Sequence, residues 1–267
     1  MNTALDRIIA YKHAEVAALK AAQSEASLIA AAEAQPPTRG FACALTSVAE
    51  TGENALICEM KRKSPSAGEI LPGADPVEIA RDYETGGAAC LSVLTDGPSF
   101  GGSLDDFAAI RAAVSLPMLR KDFMIDPVQV HEARANGADA ILVILACTED
   151  ALARDLLDAA SAYGMDTLIE THTGEEVTRA VRLSDGRDAL IGINNRDLKR
   201  MVTDLGMTEQ LAPLLPAGTG YVAESGIAET GDIVRLRKAG ARRFLIGESL
   251  MKRPDRSAHC AALRHAA

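Results

Sequence analysis

From residue 55 onward the chain alternates between short apolar runs and longer amphipathic stretches. The apolar runs fall at 55–60, 90–94, 116–120, 140–145, 167–170, 189–193, 220–223 and 243–246. They recur roughly every 27 residues, the length of one strand, loop, helix and return loop. The stretches between them carry helix start signals. Asp75-Pro76 and Asp126-Pro127 pair an N-cap with an N1 proline. Thr148 with Glu149 and Asp150, and Thr173 with Glu175 and Glu176, place caps and acids in a first turn. Gly86-Gly87, Gly137, Gly164 and Gly240 supply helix exits. Ahead of the first strand, residues 4–33 are Ala-rich, with Leu5, Ile8, Ile9, Val16 and Leu19 near helical spacing. Gln35-Pro36-Pro37 ends that run and a loop follows.

Eight strands alternating with helices fit either a closed (β/α)8 barrel or an open doubly wound sheet. No G-x-G-x-x-G follows the first strand, and 267 residues is close to the roughly 250 typical of the barrel. The prediction is an α/β (β/α)8 TIM barrel with an N-terminal helical extension: one domain over 1–267, of which 1–45 is the extension.

Composition narrows the partners. Lys plus Arg is 28 against 37 for Asp plus Glu, a net charge of −9, which argues against nucleic acid and anionic membranes as partners. The longest uncharged apolar run, Ala140 to Cys147, is far short of the roughly 20 residues of a membrane span. Asp6, Arg7 and Lys12 around a brief Ile8-Ile9 pair leave no signal-peptide apolar region. Five scattered cysteines (Cys43, Cys58, Cys90, Cys147, Cys260) form no C-x-x-C pair, which fits reduced thiols and a cytoplasmic location. His13, His131, His259 and His265 have no ligand spacing, so no metal is expected.

Charges at strand ends carry the chemistry, because the C-terminal ends of barrel strands form the catalytic rim. The first strand ends Glu59-Met60-Lys61, and residues two apart share a face. Glu59 and Lys61 should therefore enter the mouth together while Cys58 and Met60 face the helices. The third strand ends Arg120-Lys121-Asp122-Phe123, the fifth Glu170-Thr171-His172, the sixth Asn194-Asn195-Arg196-Asp197 and the seventh Glu224-Ser225-Gly226. A ring of structural salt bridges is the plainer reading, but these clusters all lie at the same end of their strands. Ser225-Gly226-Ile227 and Gly247-Glu248-Ser249 place glycine just after adjacent strands, where barrels commonly form a phosphate cup. His172 is read as a polar cap for the following helix.

Six motifs in order resemble indole-3-glycerol-phosphate synthase. They are Ile57-Cys58-Glu59-Met60-Lys61-Arg62-Lys63-Ser64-Pro65-Ser66, the Leu91–Asp96 run with Phe100-Gly101-Gly102-Ser103, and Leu119-Arg120-Lys121-Asp122-Phe123. Gly137-Ala138-Asp139-Ala140, Gly192-Ile193-Asn194-Asn195-Arg196-Asp197-Leu198 and Glu224-Ser225-Gly226-Ile227 complete the set. The likeness runs from Ile8-Ile9 and Lys12 to Gly247-Glu248-Ser249-Leu250-Met251, nearly the whole chain.

The resemblance implies the ring-closing step of tryptophan biosynthesis. The substrate would be 1-(2-carboxyphenylamino)-1-deoxyribulose 5-phosphate, which loses carbon dioxide and water, with no metal or organic cofactor. By the same match Lys121 is the general acid and Glu170 the base. Lys61 holds the substrate carboxylate, with a part in protonating the leaving hydroxyl. Glu59, Asn194 and Glu224 orient the lysines and bind substrate hydroxyls, and Ser225 is a further site residue. Arg196 supports the electrostatics. Phosphate would sit at Gly226, Gly247 and Glu248, with Ser64 as an added donor, and Pro65, Phe100 and Phe123 would wall the aromatic ring. Lys61, Arg62, Lys63, Arg120, Lys121 and Arg196 are expected to make the mouth positive and to lower the pKa of Lys121. Arg62-Lys63 beside the Ser-Pro-Ser loop reads as a mobile lid. Glu248 should turn its carboxylate outward, and Cys58, where alanine is more usual, should be harmless.

Two rivals remain. Another phosphosugar-handling barrel, such as phosphoribosylanthranilate isomerase, would carry a catalytic Cys/Asp pair where Lys61 and Glu170 stand. A barrel that binds without turnover should have lost one of Lys121, Glu170 or Lys61. The chain is expected to act as a monomer, or in loose association with another tryptophan-pathway enzyme.

Overall fold

A computed structural model describes residues 3–65, 67–187, 189–197 and 202–267. Of the motif residues, Ser66 and Leu198 lie outside the described residues. Eight parallel strands close into a barrel: β1 (Ala55–Met60), β2 (Cys90–Leu94), β3 (Met118–Lys121), β4 (Ala140–Ile144), β5 (Asp166–Thr171), β6 (Ala189–Asn194), β7 (Tyr221–Glu224) and β8 (Arg243–Ile246). Closure is made by β8 lying beside β1, with Cys58 opposite Ile246. The predicted strands match these to within two residues at either end.

Side-chain alternation splits the barrel into two apolar bodies. Inward positions Ile57, Leu119, Leu168, Val222 and Leu245 form an inner cluster, while Cys58, Met60, Val93, Ile169 and Ile246 face the helices. Cys58 Sγ lies 3.6 Å from Cys260 Sγ on the helix Arg256–Arg264, outside the barrel as expected.

The N-terminal region differs from the single helix expected over 4–33. It forms α1 (Ala4–Ala22), α2 (Glu25–Glu33) and α3 (Phe41–Glu50). The break falls at Ser24, whose side chain accepts the Ser27 N–H and caps α2. Local capping overrides the helix propensity of the alanines there. The segment after Pro37, expected as a loop, contains α3. Its Phe41 and Leu45 are fully buried in the inner cluster and close the barrel below.

Helix α1 is fastened across the strand ends by a buried lysine. Lys12 Nζ lies 2.7 Å from Asp122, 2.8 Å from Glu15 and 3.0 Å from Asp96. The Tyr11 hydroxyl donates to Asp96 at 2.8 Å. Asp96 and Asp122 follow β2 and β3, so α1 covers that side of the mouth.

Candidate active site

A cavity of about 540 Å³ opens at the C-terminal ends of the strands. It is lined by Glu59, Lys61, Pro65, Phe100, Lys121, Phe123, Glu170, Asn194, Arg196, Glu224, Ser225, Gly226, Gly247 and Glu248. Ser64 is not among the lining residues. It is buried in a small hairpin (Lys63–Ser64 with Gly68–Glu69), where its Oγ accepts the Ala67 N–H at 3.1 Å.

The four odd-numbered strands each deliver one titratable side chain to this mouth, Glu59, Lys121, Glu170 and Glu224. Each lies two residues beyond an inner-cluster residue, Ile57, Leu119, Leu168 and Val222, and so shares its inward face. Lys121 Nζ donates to Glu170 Oε2 at 2.8 Å and to Glu224 Oε2 at 3.0 Å. Lys61 Nζ pairs with Glu59 Oε1 at 2.7 Å.

Two glycines make room for these carboxylates. A Cβ on Gly192 of β6 would stand 2.1 Å from Glu224 Oε1, and one on Gly247 would stand 2.5 Å from Glu59 Oε1. Any side chain at either position would push a carboxylate out of the layer.

The electrostatics correct one expectation. Lys121 is surrounded by carboxylates; Lys61 and Arg196 share its cavity, but Arg120, Arg62 and Lys63 are engaged elsewhere. Arg120, its neighbour in β3, points outward to Asp122 at 3.2 Å and Glu132 at 2.8 Å. Arg62 pairs with Asp106, and Lys63 Nζ donates to the Pro98 carbonyl at 2.9 Å. The alternation that sends Lys121 inward is what sends Arg120 away. Burial by itself would lower the Lys121 pKa, but Glu170, Glu224 and Glu59 outweigh it and raise it above the ordinary lysine value.

The two carboxyls on Lys121 behave differently. Burial would raise Glu170, yet the Lys121 ammonium and His172 hold it well below the usual carboxylate range. Burial, reinforced by Glu170, pushes Glu224 up to about 8 despite the pull of Lys121. The negative charge of the pair is therefore favoured on Glu170, and the protonated form is favoured at Glu224. Glu224 Oε1 is buried without a hydrogen-bond partner, in the space left by Gly192.

After β7 the chain turns sharply. Ser225 has φ 67°, the single positive value among the described non-glycine residues, and Gly226 follows at 79°. A left-handed serine costs on the order of 1–2 kcal/mol, so something must hold it. Asn195 does: its Nδ2 donates to the carbonyls of Glu224 and Ser225 at 3.0 and 3.1 Å. Its Oδ1 accepts from the Thr208 N–H and hydroxyl. Asn194 Oδ1 accepts the Arg196 N–H at 3.0 Å. The Glu248 carboxylate lies between two cations of the cavity lining, with Lys252 2.7 Å from one oxygen and Arg196 3.7 Å from the other. The Phe100 and Phe123 rings stand 6.1 Å apart and form the apolar wall.

Several contributors were not singled out from the sequence. Leu5 and Ile8 of α1, Leu142 and Ile144 of β4, Thr203 and Lys252 also line the cavity. Asn195 was present only as part of a motif. Its signal, a second amide directly after Asn194, carries no hint of which loop it clamps. The helix cap expected of His172 belongs to Thr173, whose side chain accepts the Glu176 N–H. Among the described residues no group of three or more His, Cys, Asp or Glu is arranged to hold a metal ion, and no helix is long and apolar enough to cross a membrane.

Fold and site define a (β/α)8-barrel enzyme with its titratable groups gathered at the strand C-termini. The family model described as "Indole-3-glycerol phosphate synthase" matches residues 5–263. The chain belongs to the indole-3-glycerol phosphate synthase family, and so to the carboxy-lyases of tryptophan biosynthesis. The Hyphomonas neptunium protein of that name is 66% identical over 252 residues, covering 94% of each chain. The Rhodospirillum rubrum protein is 52% identical over 255 residues, covering 96% of each. A crystal structure of 3-hexulose-6-phosphate synthase, 16% identical, superposes with a TM-score of 0.58 over 79% of this chain and 98% of that one. At that identity the likeness concerns the fold alone.

Proposed function

We infer that this mouth closes the pyrrole ring of 1-(2-carboxyphenylamino)-1-deoxyribulose 5-phosphate, releasing carbon dioxide and water to give indole-3-glycerol phosphate. Family membership favours this over the isomerase alternative. The observation that carries the residue roles is Lys121 held between Glu170 and Glu224 at the cavity floor.

Ring closure needs a proton at the ketose oxygen as the aromatic carbon attacks, and Lys121 supplies it. A lysine held above its ordinary pKa is a poor acid until it is separated from its carboxylates. Substrate entering between Lys121 and Glu170 would leave burial as the dominant influence, and burial lowers a lysine's pKa. The ammonium then becomes a donor at the moment it meets the carbonyl. Loss of carbon dioxide restores conjugation in part. Dehydration follows, with Glu170 taking the proton and Lys61, steadied by Glu59, protonating the departing hydroxyl. Glu224 and Asn194 bind the substrate hydroxyls. The aromatic ring lies against Pro65, Phe100 and Phe123.

The phosphate takes the backbone at Gly226, Gly247 and Glu248, beside Ser225, Arg196 and Lys252. Ser64 would reach it only if the hairpin shifted, because the residue is buried and does not line the cavity. The five free thiols suit a cytoplasmic enzyme, and the ligand is a small phosphorylated molecule.

Fluorescence-monitored turnover of this substrate with chelator present tests the reading. Indole emission that grows at the same rate with and without chelator is the expected result. Saturable binding without emission would reduce the chain to a binding protein. Neither binding nor turnover would remove the substrate assignment.

A further inference from the structure

Behind Glu170, on the side away from Lys121, lies a buried histidine that the reaction above does not use. His172 Nε2 stands 3.3 Å from Glu170 Oε1, and its Nδ1 stands 3.4 Å from Glu176 Oε2. Its side chain is 9% exposed. Glu176 comes from the first turn of the helix Gly174–Ser184 and also accepts the His172 backbone N–H at 2.6 Å. A ring with a carboxylate at each nitrogen is best satisfied with both nitrogens protonated. Neither contact is aligned as a hydrogen bond, so both ring nitrogens are buried without a hydrogen-bond partner. The ring, held between the two carboxylates, therefore acts on Glu170 through its charge at 3.3 Å from Oε1.

The reaction creates a need for such a group. Glu170 rests on Lys121, and Lys121 must leave it to protonate the substrate. A buried carboxylate that loses its only cation takes up a proton and stops being a base. We propose that His172 is a positioning residue for Glu170: as an imidazolium braced by Glu176, it keeps Glu170 anionic and turned into the mouth after Lys121 has been drawn to the substrate. No proton leaves the imidazolium in this role. The role rests on the reading of Glu170 as the base.

The charged groups facing the ring are Glu170 from β5 and Glu176 from the following helix, with Lys121 beyond Glu170. The Cys147 thiol after β4 lies in the field of both carboxylates; burial chiefly pushes it up to about 12, so it stays neutral. Burial would lower His172 itself, but Glu170 and Glu176 raise it to about 9.

Two measurements test the role. The first is an NMR titration of ring-labelled histidine in the substrate-free protein, with the His172→Gln spectrum identifying its signal. His172 is expected to remain protonated beyond pH 8, and its midpoint to fall by about one unit or more in Glu170→Gln and Glu176→Gln. A wild-type midpoint near 6.5 would overturn the proposal. The second is kinetics of His172→Ala and His172→Gln. We expect kcat about tenfold lower in His172→Ala, KM unchanged within about twofold, and the acid limb of the kcat profile moved up by about one pH unit. Partial recovery is expected in His172→Gln, which keeps a donor but no charge. An unmoved acid limb would leave His172 with a packing role only and overturn the proposal. A wild-type chain that never turns over the substrate would remove the reaction assignment, whereas the titration still decides the charge of the ring.

Discussion

Lys121 Nζ stands 2.8 Å from Glu170 Oε2, so the acid and the base of the proposed reaction are ion-paired with each other. Each is held inactive by the other: the pair raises the lysine and lowers the carboxylate. Separation frees the lysine to act as the acid, and with His172 behind it Glu170 stays an anion able to take a proton; the cavity above the pair is where substrate must enter. Chemistry is therefore tied to substrate entry without any moving domain.

Replacing Lys121 by Ala should reduce kcat by about 10² to 10⁴, the span that a positioned acid or base contributes. The fold should survive, because burial and Glu170 favour the protonated form of Glu224, which relieves the repulsion between the two carboxyls. Steady-state fluorescence with circular dichroism checks both halves. Wild-type turnover in the mutant would remove Lys121 as the acid.

Glu170→Gln should lower kcat by a comparable factor of about 10² or more, with KM within about twofold. A variant that keeps kcat but binds substrate poorly would make Glu170 a binding residue.

Gly192→Ala tests the room made for Glu224. Its Cβ would meet Glu224 Oε1 at 2.1 Å, inside any tolerable contact. Overpacking there should cost about 1–3 kcal/mol, together with a loss of kcat as Glu224 is displaced from Lys121. Thermal melts and kinetics read the two effects, and a variant indistinguishable from wild type in both would mean that Glu224 can sit elsewhere.

Stability should fall as pH rises from 6.5 to 9. His172 holds its proton up to about 9 in the folded chain against an ordinary 6.5, so its contribution is complete below 6.5 and lost through 9. Glu224, raised from 4.5 to about 8 by burial, adds to the decline over its lower part. Tm measured across this window should drop, with a shallower slope in His172→Gln. A flat or rising Tm would contradict the assigned charge states.

Lys12→Met should destabilise the α1 dock by about 3 kcal/mol or more, because it leaves Asp96 and Asp122 buried without their shared cation. Chemical denaturation would measure the loss. A change below about 1 kcal/mol would show that Arg120 and Tyr11 suffice to hold the two carboxylates.

The barrel and most of its rim were legible in the sequence because their periods are local. Apolar runs buried on both faces repeat eight times, with helix caps and glycine exits marking several of the stretches between them, and strand alternation alone sends Glu59 and Lys61 to one face. What the chain's order does not contain is the pairing between strands. That Lys121 meets Glu170 and Glu224 instead of its neighbour Arg120 follows from barrel closure, which gathers the odd strands' inward side chains and turns Arg120 outward. The sign of the Lys121 shift, the glycines that admit two carboxylates and the histidine behind Glu170 depend on distances across the barrel or beyond a strand end. Local propensity determined the elements. Only tertiary structure decided which charges share a low-dielectric layer, because their energies depend on separation in space and on burial, neither of which is encoded by position in the chain.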